Sequence, residues 1–368
     1  MAKFGETTLE IDLSALSHNF QYLKSKIASG TKFMAVVKAG GYGSDMVAIA
    51  QKLETLGADY LAVAYTKEGV ALREAGITLP ILVLHPQPIH FKSLIAHQLE
   101  PSLYSQRILE GFVDALKELQ MKSYPVQLKF NTGLNRLGFH EDELDWVLNT
   151  VQSNPEIKVS FILSHLAASE DENERDFSQN QIDTFLRISG RWKETLGELP
   201  GRHMLNTSGI INFPNAQFDM VRSGIGLYGY GNAPEEDKAL IPVARLQTVI
   251  SQIHYVSEGE SVGYNRAFIS EQAKTTATLP LGHADGISRQ YCQGKGYVYI
   301  HGQKAPIIGN VCMDMIMVDI TGIDCKEGDP VTFYGPNASA DAFAATGDTI
   351  SYELLTAISN RVTRVIVP

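Results

Sequence analysis

The sequence predicts an α/β protein in which an N-terminal (β/α)8 TIM-type barrel is followed by a mainly β C-terminal domain. In the first two thirds of the 368 residues, short apolar runs rich in β-branched side chains alternate with amphipathic stretches. This alternation is typical of parallel strands that are each followed by a helix. From about Leu240 onward, strand-like runs follow one another without long helices between them. We therefore expect the barrel over residues 1–240 and the β-rich domain over residues 241–368.

Eight apolar runs supply the strands of the predicted barrel. The fourth run and the last two are weak by periodicity alone, but eight is the number of strands that closes this kind of barrel. The runs are Phe33–Val37, Tyr60–Val63, Ile81–Leu84, Leu99–Leu103, Val126–Phe130, Val159–Leu163, His203–Asn206 and Asp219–Arg222.

Helices are predicted between these runs from the spacing of apolar side chains. Leu16, Phe20, Leu23 and Ile27 recur at intervals of four, three and four residues, with Ser14 as the expected N-cap. A second helix is expected at about Asp45–Leu56.

The second domain is predicted from a different set of runs. A linker-like segment, Ala233–Val243, precedes them, and we expect the opening strand at about residues 7–13 to pair with this domain rather than with the barrel. The runs are Leu246–Val256, Thr275–Leu281, Gly296–Ile300, Ala305–Val311, Met315–Ile320 and Pro330–Tyr334.

Composition narrows the range of partners. The chain has 31 Lys and Arg against 41 Asp and Glu, a net charge of -10, so nothing in its charge favours nucleic acid or an anionic membrane. Its three cysteines, Cys292, Cys312 and Cys325, show no C-x-x-C spacing, which disfavours a disulfide framework or a cysteine-rich metal site. There is no apolar run of about 18 residues and no signal-like N-terminus. We expect a cytoplasmic protein that acts on a small molecule, without a metal.

Polar side chains at the carboxyl ends of the predicted barrel strands are the first functional candidates, because barrels of this type carry their active sites there. Lys38 ends the run FMAVVK, where burial would lower the pKa of its amine and favour a covalent bond with an aldehyde cofactor. The alternative is that Lys38 marks the point at which the strand reaches solvent. The other candidates at strand ends are Lys129, His165, Asn206 and Arg222.

Two glycine-rich turns suggest an anion site after strands seven and eight, where such barrels often bind phosphate. One turn is Asn206-Thr207-Ser208-Gly209, and the other, RSGIGLYG, contains Gly224 and Ile225. Bare backbone amides in such turns can approach a phosphate closely. Each turn alone is typical of an ordinary loop, but their joint placement favours an anion site.

Eight ordered motifs together resemble the alanine racemase family. The resemblance runs from the first strand to TISYELLTAISNRV near the C-terminus. The motifs are AVVKAGGYG, LKFNTGLNRLGF, SHLAAS, LNTSGI, VRSGIGLYG, VGYNRAF, LPLGHADGISR and GNVCMDMIMVDI.

The resemblance implies a pyridoxal 5′-phosphate enzyme that interconverts L-alanine and D-alanine and supplies D-alanine for bacterial peptidoglycan. Lys38 would bind the cofactor aldehyde and act as the base for D-alanine. Tyr264 would be the base on the opposite face, contributed by the other subunit of a homodimer with shared active sites.

The resemblance also implies roles for further residues. His165 would lie against the cofactor ring, and Arg222 would face the ring nitrogen and keep it unprotonated. Arg136 would contact the cofactor phenolic oxygen and the substrate carboxylate, oriented by Lys129, which is often carbamylated in the family. The remaining residues carried over are Tyr42, Thr207, Gly224, Ile225 and Tyr352 for the phosphate, with Asn206 beside them, and the backbone amide of Met313 for the substrate carboxylate.

Several positions depart from the usual family pattern. Gly40 and Ser44 replace Asn and His, which would loosen the loop that carries Tyr42, and His283 stands where a tyrosine normally narrows the substrate channel. Three alternatives remain at this stage: a serine or broad-specificity racemase, a non-catalytic pyridoxal-phosphate-binding protein, and a decarboxylase of the same fold type. The last lacks its expected cysteine context here.

Overall fold

The computed structural model describes residues 7–231 and 234–368. Residue 233, at the start of the predicted linker, lies outside the described residues, as do residues 1–6. The chain divides into two compact units. Ser17–Gly41 and Met46–Leu240 form one, which we call the barrel unit. Residues 7–16, Tyr42–Asp45 and Ile241–Pro368 form the other, which we call the β unit.

Within the described residues, eight parallel strands close into a barrel and confirm the predicted fold class. The strands are buried along most of their length, as expected for a parallel sheet covered by helices. The chain opens with β1 (Thr8–Asp12), and the barrel follows as β2 (Lys32–Val36), β3 (Tyr60–Val63), β4 (Ile81–Val83), β5 (Glu100–Leu103), β6 (Tyr124–Lys129), β7 (Ile157–Leu163), β8 (Gly201–His203) and β9 (Met220–Ser223).

Helices follow the strands as the apolar spacing predicts. In the first helix Leu16, Phe20 and Leu23 are all buried. Its cap differs from the prediction: the helix begins at Leu13, and Asp12 Oδ1 accepts from the backbone N–H groups two and three residues later, at 2.8 and 2.9 Å. The helices up to residue 240 are Leu13–Ser25, Met46–Thr55, Thr66–Glu74, Phe91–Ala96, Gln106–Glu118, Leu144–Ser153, Arg175–Leu196, Thr207–Asn212 and Pro234–Asp237.

A nine-stranded sheet, counted over the described residues, organises the β unit in the order β11-β14-β17-β16-β15-β18-β10-β1-β19. Strand β1 runs antiparallel to β10 and parallel to β19. The strands are β10 (Ala244–Val249), β11 (Gln252–Val256), β12 (Ser261–Val262), β13 (Phe268–Ile269), β14 (Lys274–Leu279), β15 (Tyr297–Ile300), β16 (Gln303–Ile308), β17 (Ile316–Asp319), β18 (Pro330–Tyr334) and β19 (Thr363–Val367), and the helices are Ala340–Ala345 and Ser351–Thr356.

One predicted strand of this unit is wrong. The run Leu246–Val256 forms two strands, because the chain leaves β10 after Val249 and β11 starts again at Gln252. Ile250 N donates to Asp329 O at 3.0 Å and Ser251 N donates to Thr278 O at 2.8 Å, so these two residues bond to different partner segments. Periodicity alone does not detect such a change of partner.

In residues 7–231 and 234–368, none of the helices combines the length and the apolar character needed to cross a membrane.

Candidate active site

The predicted candidates of the barrel unit lie at or just beyond the carboxyl ends of their strands. Lys38 follows β2 by two residues, His165 follows β7 by two, and Asn206 follows β8 by three. Lys129 is the last residue of β6, and Arg222 is the third residue of β9. Because parallel strands end at one rim of the barrel, these side chains share that rim.

The turn after Lys38 has an unusual backbone. Ala39, Gly40 and Gly41 all adopt left-handed φ and ψ angles, with φ of 54°, 65° and 70°. Glycine accepts this conformation without strain, whereas an alanine in it costs about 1–2 kcal/mol. Glu68 holds the turn, because its Oε1 accepts from Ala39 N at 2.6 Å. The Gly-rich turn predicted from the sequence therefore has a defined shape next to Lys38.

The amine of Lys38 is prepared for chemistry by its surroundings. Burial lowers the pKa of Lys38, and the nearby charge of Arg136 lowers it further, while Glu68 acts in the opposite direction. A lowered pKa increases the fraction of unprotonated amine, which is the form that attacks a carbonyl or accepts a proton.

Lys129 and Arg136 belong to the same electrostatic group as Lys38. Lys129 is only 8 % exposed. Burial, followed by the charges of Arg136, Arg222 and Lys38, lowers its pKa to about 8. The unprotonated amine is the form that reacts with carbon dioxide, and the lowered pKa increases its fraction, so the site is compatible with the carbamylation implied by the resemblance.

Arg222 is the most strongly held cation of the barrel rim, with 4 % of its surface exposed. Its guanidinium donates to Ser164 O at 2.7 Å, to Met204 O at 3.0 Å, to His165 Nδ1 at 3.0 Å and to His203 Nδ1. Burial and the charge of Arg136 lower its pKa to about 9. The group therefore stays a cation at neutral pH, with its plane fixed by four acceptors.

Both histidines beside Arg222 are neutral. Burial, followed by the charge of Arg222, holds the pKa values of His165 and His203 well below the usual range. A guanidinium can only donate, so each imidazole accepts at Nδ1 and carries its proton on Nε2. His165 was predicted as a site residue, whereas His203 was predicted only as part of a strand. The sequence feature that could have identified His203 as a site residue is its position, as a titratable side chain, in a predicted buried strand.

The two glycine-rich turns form one polar cradle in the barrel unit. Asn206 caps the helix Thr207–Asn212, because its Oδ1 accepts from Gly209 N at 2.9 Å. Thr207 Oγ1 lies 3.0 Å from Ser223 Oγ and accepts from Gly226 N at 3.3 Å. A Cβ on Gly226 would lie 2.5 Å from Thr207 Cγ2, so any larger residue there would displace Thr207.

Gly224 and Ile225 complete that second turn. Gly224 immediately precedes the short 3-10 turn Ile225–Tyr228. The helix Thr207–Asn212 follows β8 and the turn Ile225–Tyr228 follows β9. The backbone amides at the start of each segment therefore lie just after these two strands, as the sequence predicted.

The β unit carries the other predicted residues. Tyr264 starts the 3-10 turn Tyr264–Arg266 and is 74 % exposed, and Asn310 Nδ2 donates to its carbonyl oxygen at 3.1 Å. Met313 is also exposed, and its carbonyl accepts from Ala284 N at 3.0 Å. Both side chains face outward from their unit.

Tyr42 and Tyr352 lie together within the β unit, with ring centroids 6.1 Å apart. Burial raises the pKa of the Tyr42 hydroxyl, and Tyr352 raises it further, so this hydroxyl is a donor rather than an anion. The loop that carries Tyr42 is anchored, because Gly43 O accepts from Arg364 at 3.0 Å. The loosening expected from Gly40 and Ser44 is therefore opposed by a fixed contact.

Over the described ranges of the chain, no group of three or more His, Cys, Asp or Glu side chains is arranged to hold a metal ion.

The barrel rim combines an amine of lowered pKa, a buried arginine and a hydroxyl-and-amide cradle, and this combination suits an anionic aldehyde cofactor bound covalently to lysine. That is the class of pyridoxal-phosphate enzymes built on a (β/α)8 barrel. Two family models match the chain: "Alanine racemase, N-terminal domain" over residues 11–232, and "Alanine racemase, C-terminal domain" over residues 243–366. The chain belongs to the alanine racemase family, whose members are pyridoxal-phosphate-dependent isomerases.

Full-length relatives agree with this assignment. An alanine racemase of Synechocystis sp. is 35% identical over 368 residues, which cover 98% of each chain. The solved structure of the alanine racemase of Clostridium difficile 630 matches with a TM-score of 0.91 at 32% identity, over 98% of this chain and 95% of that one. The alanine racemase of Bartonella henselae with covalently bound pyridoxal phosphate matches with a TM-score of 0.88 at 29% identity, over 99% and 100% of the two chains.

The residues of the barrel unit fit pyridoxal phosphate by their own chemistry. Because Gly226 has no Cβ, its turn approaches the Thr207 side chain closely, and this close approach brings backbone amides beside the Thr207 hydroxyl, as a phosphate cradle requires. Lys38 offers an amine of lowered pKa for the aldehyde. Arg222 is a fixed donor suited to an unprotonated ring nitrogen.

Proposed function

We propose that this chain interconverts L-alanine and D-alanine by a two-base mechanism in which Lys38 and Tyr264 are the catalytic residues. The observation that carries the proposal is the Lys38 amine, which burial and Arg136 bring to a lowered pKa at the end of β2. Tyr264 is 74 % exposed in the single chain, which suits a residue that serves a second subunit.

When bound, pyridoxal phosphate supplies an electron sink that makes the Cα proton of the attached amino acid removable. Lys38 takes or returns this proton on one face. Tyr264 of the partner subunit takes or returns it on the other, so the proton lost from one face is replaced on the opposite face. A phenol that keeps its proton cannot take another from carbon, so Tyr264 works as a base only beside groups that accept or share its proton.

Other residues of the chain bind and orient. Arg136 binds the substrate carboxylate and the cofactor phenolic oxygen, together with the backbone amide of Met313, and Lys129 orients Arg136. Arg222 donates to the ring nitrogen, and because a guanidinium does not readily give up its proton, that nitrogen stays unprotonated. A weaker electron sink suppresses transamination as a side reaction.

The remaining groups hold the cofactor in place. His165 lies against the ring, and its neutral state avoids a second charge beside Arg222. The proposed phosphate ligands are Tyr42, Thr207, the backbone amides of Gly224 and Ile225, and Tyr352, with Asn206 shaping the turn that carries Thr207.

We further propose a homodimer with shared active sites, located in the cytoplasm, that supplies D-alanine for peptidoglycan. The dimer follows from the role of Tyr264, since a site that borrows its second base from another subunit is incomplete in a monomer. The three cysteines are all free thiols in the structure, which suits a reducing compartment.

The test is chiral analysis of alanine incubated with the purified protein and pyridoxal phosphate, started from each enantiomer separately. Both reactions should reach the racemate. Tyr264→Phe should keep the cofactor absorbance and lose racemisation, whereas Lys38→Ala should lose covalent cofactor attachment after borohydride reduction. Serine racemisation without alanine racemisation would refute the substrate, and full activity of Tyr264→Phe would refute the second base.

A further inference from the structure

A chain of buried polar side chains leads from Arg222 across the inside of the barrel. Strands β6 and β8 are separated by β7, yet His203 Nε2 on β8 and Gln127 Oε1 on β6 lie 2.8 Å apart. Gln127 Nε2 lies 2.9 Å from Oε2 of Glu100 on β5. All of these side chains are buried. Buried side chains of strands that are not neighbours meet across the barrel interior, so this chain runs through the core.

Every hydrogen bond in this chain has one possible direction. Arg222 only donates, so His203 Nδ1 accepts from it and His203 Nε2 carries the proton. That Nε2–H donates to the carbonyl oxygen of Gln127. The amide nitrogen of Gln127 then donates to the carboxylate of Glu100. The donors all point away from the active-site rim and towards Glu100.

Glu100 determines which way the Gln127 amide faces. An ionised carboxylate only accepts, and Glu100 also accepts from the Tyr60 hydroxyl at 3.3 Å and from Ser160 Oγ at 3.2 Å. A flipped Gln127 amide would place its oxygen against this carboxylate. It would also turn its NH2 group towards His203, whose facing nitrogen already carries a proton.

We propose that Glu100 is a positioning residue: it keeps the Gln127 amide oxygen facing His203, so that the His203 Nε2–H has an acceptor, and it thereby holds in place the imidazole that orients the Arg222 guanidinium. The effect on the cofactor ring nitrogen rests on the proposed function above, whereas the hydrogen bond from His203 to Gln127 does not. Glu100 itself contacts neither cofactor nor substrate in this scheme. Its acceptor oxygen matters rather than its charge.

The test compares three substitutions on β5 in the holoenzyme. Glu100→Met keeps the size of the side chain and removes the acceptor. Glu100→Gln can turn its own oxygen towards Gln127 and its NH2 towards the Tyr60 hydroxyl, so it should restore the chain. Ser102→Ala is the matched control, since the buried Ser102 hydroxyl has no hydrogen-bond partner within the described residues.

The main readout is the ¹⁵N NMR signal of the His203 ring nitrogens, identified by its loss in His203→Asn. We expect Glu100→Met to shift the Nε2–H signal of His203, because a rotated Gln127 amide no longer accepts from it, and to lower kcat roughly tenfold. The KM for alanine should change little, because Arg136, the proposed ligand of the substrate carboxylate, is not a member of this series of hydrogen bonds. Glu100→Gln and Ser102→Ala should resemble the unsubstituted protein in both measurements.

Gln127→Met provides a second route to the same effect. Because Glu100 acts through Gln127, the double variant Glu100→Met/Gln127→Met should lose no more kcat than either single variant.

An unchanged His203 signal in Glu100→Met would overturn the proposal, and so would a Glu100→Gln variant as damaged as Glu100→Met. Additive losses in the double variant would also overturn it. A shifted signal in a protein that racemises no amino acid would refute the proposed function but support the positioning role of Glu100.

Discussion

Gly138→Ala should be the most informative single glycine substitution in the barrel unit. Gly138 has φ of +127°, and a Cβ at this position would lie 2.6 Å from Asn131 N and 2.7 Å from the carbonyl carbon of Phe130. These are backbone atoms, and they cannot move aside easily. Phe139 N donates to Lys129 O and Asn131 N donates to Phe139 O, both at 2.8 Å, which ties the loop to the end of β6.

The loss of stability expected for Gly138→Ala has two parts, backbone strain and steric overlap, and matched glycine substitutions separate them. Gly190→Ala lies in the helix Arg175–Leu196 with open space around it, and should stabilise the protein by about 0.5–1 kcal/mol. Gly197→Ala has φ of +79° and open space, so it should cost about 1–2 kcal/mol for backbone strain alone. Gly138→Ala adds the overlap to the strain and should cost about 2–6 kcal/mol.

The assay is urea unfolding of the three variants beside the unsubstituted protein, together with KM for alanine. Gly138 lies two residues after Arg136, so a displaced loop should raise KM in Gly138→Ala, while Gly190→Ala and Gly197→Ala leave it unchanged. If Gly138→Ala were no less stable than Gly197→Ala and had a normal KM, the reasoning from backbone contact would be refuted.

Three further predictions concern charge and the phosphate cradle. Lys129 has a pKa of about 8 when folded and an ordinary value of 10.5, so the unfolded protein binds more protons than the folded protein between these pH values. Without cofactor, the free energy of unfolding should therefore rise between pH 8 and 10.5 by at most about 3 kcal/mol more than it does in Lys129→Met. Parallel pH profiles of the two proteins would contradict this. Gly226→Ala should weaken pyridoxal phosphate binding about tenfold by displacing Thr207, as measured by absorbance titration, and an unchanged Kd would argue against the cradle. Burial raises the pKa of Asp319, but hydrogen bonds from Lys274 and Thr321 lower it by more, so the stability that the Asp319 carboxylate contributes is lost as pH falls through the folded pKa. Asp319→Asn should cost about 1–3 kcal/mol at pH 7 and flatten the acid side of the stability profile. An equal acid dependence in the variant would exclude the Asp319–Lys274 pair as the source of that dependence.

The sequence by itself determined the fold class and the residues of the barrel rim. Alternating apolar runs are a local property, and burial of parallel strands requires them, so β3 and β18 were predicted with their observed bounds. Lys38, Lys129 and Arg222 were recognisable because each is a polar residue at the carboxyl end of a predicted barrel strand, where such barrels carry their active sites. Motif order then identified the family, which the comparisons confirm.

The boundaries of strands and units that depend on long-range pairing could not be predicted from the sequence. The run Leu246–Val256 looks continuous, but its two halves bond to different partners, and only the sheet shows this. Tyr42–Asp45 lies early in the sequence of the barrel and yet belongs to the β unit. Neither result follows from local spacing, because each depends on contacts with residues far away along the chain.

Only the tertiary structure revealed the hydrogen-bonded chain behind Arg222. Glu100, Gln127 and His203 lie on β5, β6 and β8, and at least 27 residues separate consecutive members along the sequence. Each one alone reads as a polar residue in a strand. Closing the barrel places them within hydrogen-bond distance inside a core that excludes water. Because an unmade hydrogen bond is costly there, only one order of donors and acceptors along the series satisfies every group.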